Sequence, residues 1–265
     1  MTPQQLEERI SAIGRPGITF RSMATVAGSL AAAKAWDTAN PEAAGEYHRL
    51  VAELERVTKD AERQAAERAR LDKAERTMAA KLQKGGIGGR SADAAMAPED
   101  TEALKAVRLW LPDNALTWLV LCGDKGVGKS VAATWALIQV LKRGETAARI
   151  DATRLATLSQ FDAGAEELAW LKRVDMLLVD DFGTELLTDY AKSRVHELFD
   201  DRHESYRRTI LTSNLRYKTQ TYENTEKTVT TVGLQERLGE RITDRLAQAG
   251  KLVELRAAQS MRRRS

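Results

Sequence analysis

Residues 123–130 read GDKGVGKS and match the pattern G-x-x-x-x-G-K-[ST] in full. The chemistry such a stretch can do is the binding of a polyphosphate. Gly123, Gly126 and Gly128 free the backbone to curl, so the amides of the loop, Asp124, Lys125 and Val127 included, can point inward at an anion. The side chain of Lys129 can reach the β- and γ-phosphates, and the hydroxyl of Ser130 can sit on Mg²⁺. Asp180 lies 50 positions after Ser130, in MLLVDDFG (176–183), where an apolar run ends in two carboxylates. Asp180 there can hold Mg²⁺ through water, and Asp181 can orient and deprotonate an attacking water. A third run, TILTSN (209–214), ends in Ser213 and Asn214. If it lies beside the strand before the loop, Asn214 comes near the γ-phosphate and helps to hold the water. A fourth stretch, GERITDRL (239–246), sets Arg241 and Arg245 one helical turn apart beside Glu240 and Asp244. Read alone it is an ordinary charged helix face.

These residues need elements to carry them. TWLVLCG reads as a short buried strand before the loop, and KSVAATWALIQVLKRG as the helix after it. TAARID, VDMLLVDD and RRTILTSN read as further strands; TEALKAVRLWL, ATRLATLSQF and AKSRVHELFDDRHESY read as helices. Strands alternating with helices predict an α/β fold with a mostly parallel sheet and helices on both faces. The stretch just before GERITDRL reads as disordered. The amino-terminal part is different. QQLEERISAI and RSMATVAGSLAAAKAWDTA are short helical patterns. Pro41 to Lys84 forms one long charged helix, with Tyr47, Leu50, Leu54, Val57 and Ala61 on one stripe. At 1.5 Å per residue it extends about 60 Å. GGIGG (85–89) breaks it. The expected organisation is a helical region over 1–84 that can dock a partner, a glycine-rich hinge over 85–90 and an α/β domain over 91–265.

The net charge is +3, and its distribution is uneven. Residues 1–100 hold 15 basic and 15 acidic side chains, and residues 101–265 hold 26 and 23, a surplus equal to the three arginines of the closing MRRRS. The one cysteine, Cys122, excludes an internal disulfide and a cysteine-rich zinc site. The polar start is no signal peptide, and no apolar run nears the roughly 20 residues that span a bilayer. The expectation is a soluble, cytoplasmic protein with no membrane partner.

Taken together, GDKGVGKS, LLVDDFG, HELFDDRHESYRRTILTSNL, LGERITDRL and SMRRR resemble, in order and spacing, the AAA+ family, and most of all its DnaC/IstB branch of bacterial helicase loaders and transposition ATPases. The resemblance covers roughly residues 85–264 and is densest over 176–246. It implies a P-loop NTPase of the AAA+ type with an α-helical amino-terminal region, ATP and Mg²⁺ as cofactors, and hydrolysis of ATP to ADP and phosphate. Asp180 and Asp181 are then similar to the Walker B pair, with aspartate where many relatives carry glutamate. The shorter reach implies slow turnover. Asn214 resembles sensor 1. Arg262, in SMRRR, resembles the sensor 2 arginine, with Arg263 and Arg264 adjoining. Arg241 or Arg245 takes the place of an arginine finger that acts on a neighbour's ATP, an interaction worth about 10³–10⁵ in rate. The resemblance thus implies self-association into an ATP-bridged oligomer and assembly-dependent activity. Two features depart from the wider pattern: the amino-terminal zinc-binding cysteines of many loaders are missing, and with about 20 residues after the finger motif the separate helical lid is expected to be absent, a feature the DnaC/IstB branch shares.

Three readings stay open. One is a DnaC-like helicase loader acting in DNA replication, which binds single-stranded DNA and a replicative helicase. Another is an IstB-like ATPase that regulates transposition on duplex DNA with a transposase. The third is a P-loop kinase for a small molecule, which leaves GERITDRL unexplained. The loader leads because residues 1–100 are net neutral. Arg154 and the segment before Phe161, Arg207, Arg208 and the closing arginines are the candidates for DNA contact.

Overall fold

In the computed structural model, residues 1–17, 23–160, 164–183, 188–224 and 227–257 are described. The chain divides into two compact units, Met1–Arg76 and Thr77–Ser265.

The first unit is helical: α1 (Pro3–Ala12), α2 (Met23–Ala39) and most of α3 (Pro41–Lys84). Thr2 starts α1 with a capping box, its hydroxyl accepting from the Gln5 amide at 3.3 Å while the Gln5 side chain accepts from the Thr2 amide at 2.9 Å. Arg15 grips Asp37 through two bonds of 2.7 and 2.6 Å and lies 4.7 Å from the Tyr47 ring. The core is small, with Leu6, Ala33, Ala44 and Leu50 buried. The apolar stripe of α3 ends earlier than its spacing predicts. Residues 58–76, Ala61 among them, are exposed along their whole length.

The second unit continues with α4 (Gly89–Met96), α5 (Glu102–Trp110), β1 (Trp118–Gly123), α6 (Lys129–Lys142), β2 (Ala147–Asp151), α7 (Ala152–Gln160), α8 (Ala165–Arg173), β3 (Met176–Asp180), α9 (Asp189–Glu204) and β4 (Arg208–Thr212). It closes with β5 (Gln220–Asn224), β6 (Lys227–Thr231), α10 (Leu234–Ala249) and β7 (Gly250–Leu255). Five strands form one sheet in the order β2-β3-β4-β1-β7, and every pairing in it is parallel. A parallel sheet is covered on both faces, which is why β1, WLVLCG, and β3, MLLVD, are buried at every position. Side chains alternate between two cores. Trp118, Val120 and Cys122 pack with Leu177, Val179, Phe199 and Ile242. Leu119 and Leu121 pack on the other face with Leu104, Trp110, Leu137 and Leu178. Arg202, wholly buried, joins elements across the first face. It donates to the carbonyls of Leu171 and Val174 at 2.7 and 2.8 Å and to the Thr209 hydroxyl at 2.9 Å.

In the glycine run, Ile87 is buried in the second core and the Arg149 amide donates to Gly85 O at 2.8 Å. α3 runs through the division at Arg76 and ends at Lys84, just before the glycines. One expectation needs correction: in the stretch before GERITDRL, read as disordered, β5 and β6 pair as an antiparallel ribbon in which threonine and valine supply strand propensity. No helix among the described residues is long and apolar enough to cross a membrane.

Candidate active site

The loop of residues 123–130 joins β1 to α6 at the carboxyl end of the sheet, where ligands of open α/β sheets bind. Its curl depends on glycine. Gly123, Gly126 and Gly128 have φ of +109°, +80° and +87°. A Cβ on Gly123 would lie 2.2 Å from Leu255 O, and one on Gly128 would lie 3.1 Å from Thr101 Oγ1. Asp124 faces away from the cradle. Its carboxylate accepts from Arg216 at 3.1 Å and from the Ala257 amide at 3.0 Å, which pins the loop to β7.

β1 and β4 are neighbours, so Asn214 arrives beside the loop as the sequence suggested. Lys129, nearly buried, donates to Gly123 O at 3.0 Å, Asp124 O at 2.7 Å and Asn214 Oδ1 at 3.1 Å. Burial lowers its ammonium pKa, and the carboxylates of Asp181, Asp124 and Asp180 work against that shift. The amide of Asn214 turns its other end to Asp181 and donates to Oδ1. Asn214 therefore links the loop lysine to the second carboxylate of β3. Asp181 has φ +59°, a left-handed backbone at the point where the chain leaves the strand. Its carboxyl pKa is raised, first by burial and then by the charge of Asp180.

Ser130 donates to Asp180 Oδ1 at 2.8 Å, and Thr212 donates to the same oxygen. Arg149 takes the other oxygen at 2.7 Å. A serine hydroxyl beside a buried carboxylate is a set of hard oxygen donors that fits Mg²⁺, which keeps several waters and takes further ligands from phosphate. Among the described residues no three histidine, cysteine or acidic side chains converge as metal ligands. Gly126, Gly128, Lys129, Ser130, Val131, Asp181 and Asn214 line a cavity of about 250 Å³. A smaller, more apolar cavity adjoins it, sharing Gly128 and Val131 and lined also by Ala97, Pro98, Thr101 and Leu104. Sequence reasoning missed this second cavity, together with the Thr212 and Arg149 contacts. A larger open groove runs along α10, but Glu236, Glu240 and Asp244 line it, and these carboxylates would repel a triphosphate.

Arg241 and Arg245 do not line the loop cavity. Both reach across to Asp200 of α9 rather than to Glu240 or Asp244 on their own helix. Arg245 is largely covered, whereas Arg241 keeps 62 % of its side chain exposed. GERITDRL also contains a kink, since Gly239 has φ +76° inside α10. Arg262 lies outside the described residues, as do Arg263, Arg264 and Phe161. The other candidates for DNA contact have internal partners. Arg154 pairs with Glu167 at 2.9 Å, Arg207 with Asp175 at 3.3 Å, and Arg208 donates to the carbonyls of Leu111 and Asp113.

Among known proteins, the chain is 35% identical over 111 residues to a protein of Pseudomonas fluorescens named for insertion sequence IS1162 and for ATP binding. That match covers 40% of this chain, and the chain spans about half the length of this curated relative, 48%. In fold it is similar to the crystal structure of the DnaC helicase loader, at a TM-score of 0.51 and 20% identity, covering 64% of this chain and 100% of that one. Residues 110–265, more than half of the chain, match the model of the family described as IstB-like ATP binding protein. The sheet order, the glycine loop and the strand-end carboxylates agree with that match, and the protein belongs to the IstB-like ATP-binding family.

Proposed function

We propose that the protein hydrolyses ATP slowly, in an assembly on DNA, and that the DNA is that of a mobile element handled with a transposase. The observation that supports the catalytic part is the chain Lys129–Asn214–Asp181, which spaces a phosphate-binding ammonium and a carboxylate base around one amide. Loop amides and Lys129 hold the β- and γ-phosphates. The adjoining apolar cavity takes the base. Asp181 accepts the proton of the attacking water, and its raised pKa makes it a stronger base than an ordinary aspartate. Asn214 fixes the orientation of Asp181 and helps hold the water. Ser130 and Asp180 would hold Mg²⁺, whose charge would offset that of the phosphates. Arg241, the more exposed of the pair, acts on the ATP of a second copy. Arg245 stays with Asp200 and steadies the helix that carries it. Arg262 would complete the phosphate contacts.

The insertion-sequence relative favours the transposition reading. A second reading, the helicase loader on single-stranded DNA, is favoured by the helical first unit. Residues 1–76 carry 12 basic and 12 acidic side chains, a balance that suits protein docking better than DNA contact. Fluorescence anisotropy on duplex and single-stranded oligonucleotides, with and without ATP across a salt series, separates the two. Duplex binding that requires ATP and weakens with salt supports the transposition reading. Preference for the single strand supports the loader, and binding to neither form refutes both.

A further inference from the structure

Every oxygen of the Asp180 carboxylate is engaged, and one of its partners comes from an unexpected direction. Oδ1 accepts from Ser130 and Thr212. Oδ2 accepts from Nη2 of Arg149 at 2.7 Å, and only 6 % of the carboxylate side chain is exposed. Arg149 stands on β2, next to β3, where Asp151 is the register partner of Asp180. The other arm of the guanidinium, Nη1, donates to Ser91 Oγ at 2.6 Å and to Gly88 O at 3.3 Å. The segment that supplies these acceptors is strapped along β2. The Arg149 amide bonds Gly85 O at 2.8 Å, and a Cβ on Gly85 or Gly86 would lie 2.5 Å from Ala147 O or 2.9 Å from Arg149 O. One guanidinium therefore bridges two groups directly, the carboxylate beside the phosphate loop and the segment that follows α3.

A neutral donor could brace these two groups as well. A fixed positive charge does something further. It neutralises Asp180 and repels any dication that approaches it. We propose that Arg149 is a positioning residue that sets the magnesium affinity of the ATP site and ties that affinity to the segment Gly85–Ser91. Mg²⁺ joins Asp180 in competition with the guanidinium, and Ser91 and Gly88 decide how firmly the guanidinium is held there. Anything that shifts this segment, which continues directly from α3, then changes the metal demand of the site without touching the nucleotide. The inference rests on Asp180 being the metal carboxylate.

The test follows nucleotide binding rather than turnover. A fluorescent ATP analogue is bound to the full chain while MgCl₂ is titrated against EDTA, and the half-saturating Mg²⁺ concentration is read. Removing one nearby positive charge in Arg149→Met should lower that concentration by about three- to tenfold. Ser91→Ala should lower it by about twofold, because the charge stays but its anchor is lost. Ser91→Ala should add nothing in the Arg149→Met background, and Arg149→Lys, which keeps the charge but loses the two-armed grip, should lower the midpoint by about twofold, like Ser91→Ala. An unchanged or raised midpoint in both Arg149→Met and Ser91→Ala would overturn the proposal and leave Arg149 a brace. If Arg149→Met does not fold, Ser91→Ala decides alone by the same criterion. Asp180→Asn separates the two levels of the argument. A raised midpoint there upholds the metal carboxylate whatever Arg149 does, and an unmoved one removes that assignment and the proposal with it.

Discussion

Replacing Gly123 by alanine should unfold the nucleotide loop from β7, and the cost can be worked from the structure. The φ of +109° is itself unfavourable for alanine, at about 1–2 kcal/mol. The new Cβ would stand 2.2 Å from Leu255 O and 3.1 Å from Leu255 N and C, all of them backbone. Relief requires the end of β7 to move, which adds about 1–3 kcal/mol of overpacking. The movement also loses the bond from the Asp124 amide to Leu255 O, now 2.9 Å, at about 1 kcal/mol. The sum is about 3–6 kcal/mol for Gly123→Ala. Gly144 provides the control. Its φ is +92°, but nothing lies within 4 Å of an added Cβ, so Gly144→Ala should cost only the backbone share of about 1–2 kcal/mol. Urea unfolding gives both values, and titration with a fluorescent ATP analogue gives the functional consequence. Gly123→Ala should lose binding while Gly144→Ala keeps it. Equal destabilisation of the two variants, or full ATP affinity in Gly123→Ala, would refute the reasoning.

The arginine assignment predicts complementation. The double variant Arg241→Ala, Arg245→Ala should bind ATP and hydrolyse little, Lys129→Ala should not bind ATP, and a mixture of the two should recover part of the ATPase rate. Near-wild-type turnover in the double variant alone would return both arginines to a structural pairing with Asp200. The raised carboxyl pKa of Asp181 predicts a pH dependence with a definite sign. Hydrolysis should fall as pH drops through a value above the ordinary aspartate range, and a limb at the ordinary value would count against burial of the base. The same shift bears on stability. A folded pKa above the unfolded one contributes stability at low pH that is lost as pH rises through the folded value. At neutral pH, Asp181→Asn should therefore melt higher than wild type in the absence of nucleotide, by differential scanning fluorimetry.

The sequence made the site legible where its chemistry is local. GDKGVGKS carries its own turn glycines, lysine and serine in one stretch, and the two aspartates of β3 and Asn214 of β4 each close an apolar run. Neighbouring parallel strands then bring those ends together. Elements with weaker periodicity were missed. α4 and α8 are only 8 and 9 residues long, and GKLVEL of β7 is a short edge strand that declares itself only by pairing with β1. The ribbon of β5 and β6 is polar, and its threonines were outweighed by its charge. Contacts set by strand adjacency had no signal at all. The meeting of Arg149 with Asp180 depends on β2 lying beside β3, and that of Arg241 and Arg245 with Asp200 depends on α10 crossing α9. The packing of the glycines at 85–89 had no signal either, because a run of glycine is equally suited to a free linker and to close approach of two backbones.

The central claim is that the cluster of Lys129, Asn214 and Asp181 hydrolyses ATP, with Asp181 as the base. Its most direct test is a paired measurement on Asp181→Asn: equilibrium binding of ATP in the presence of Mg²⁺, and phosphate release in a single turnover on DNA. An amide in place of the carboxylate can still accept from Asn214 but cannot take a proton from water. The account predicts that ATP stays bound and that phosphate release slows by about 10²–10⁴-fold. Phosphate release at the wild-type rate would contradict it.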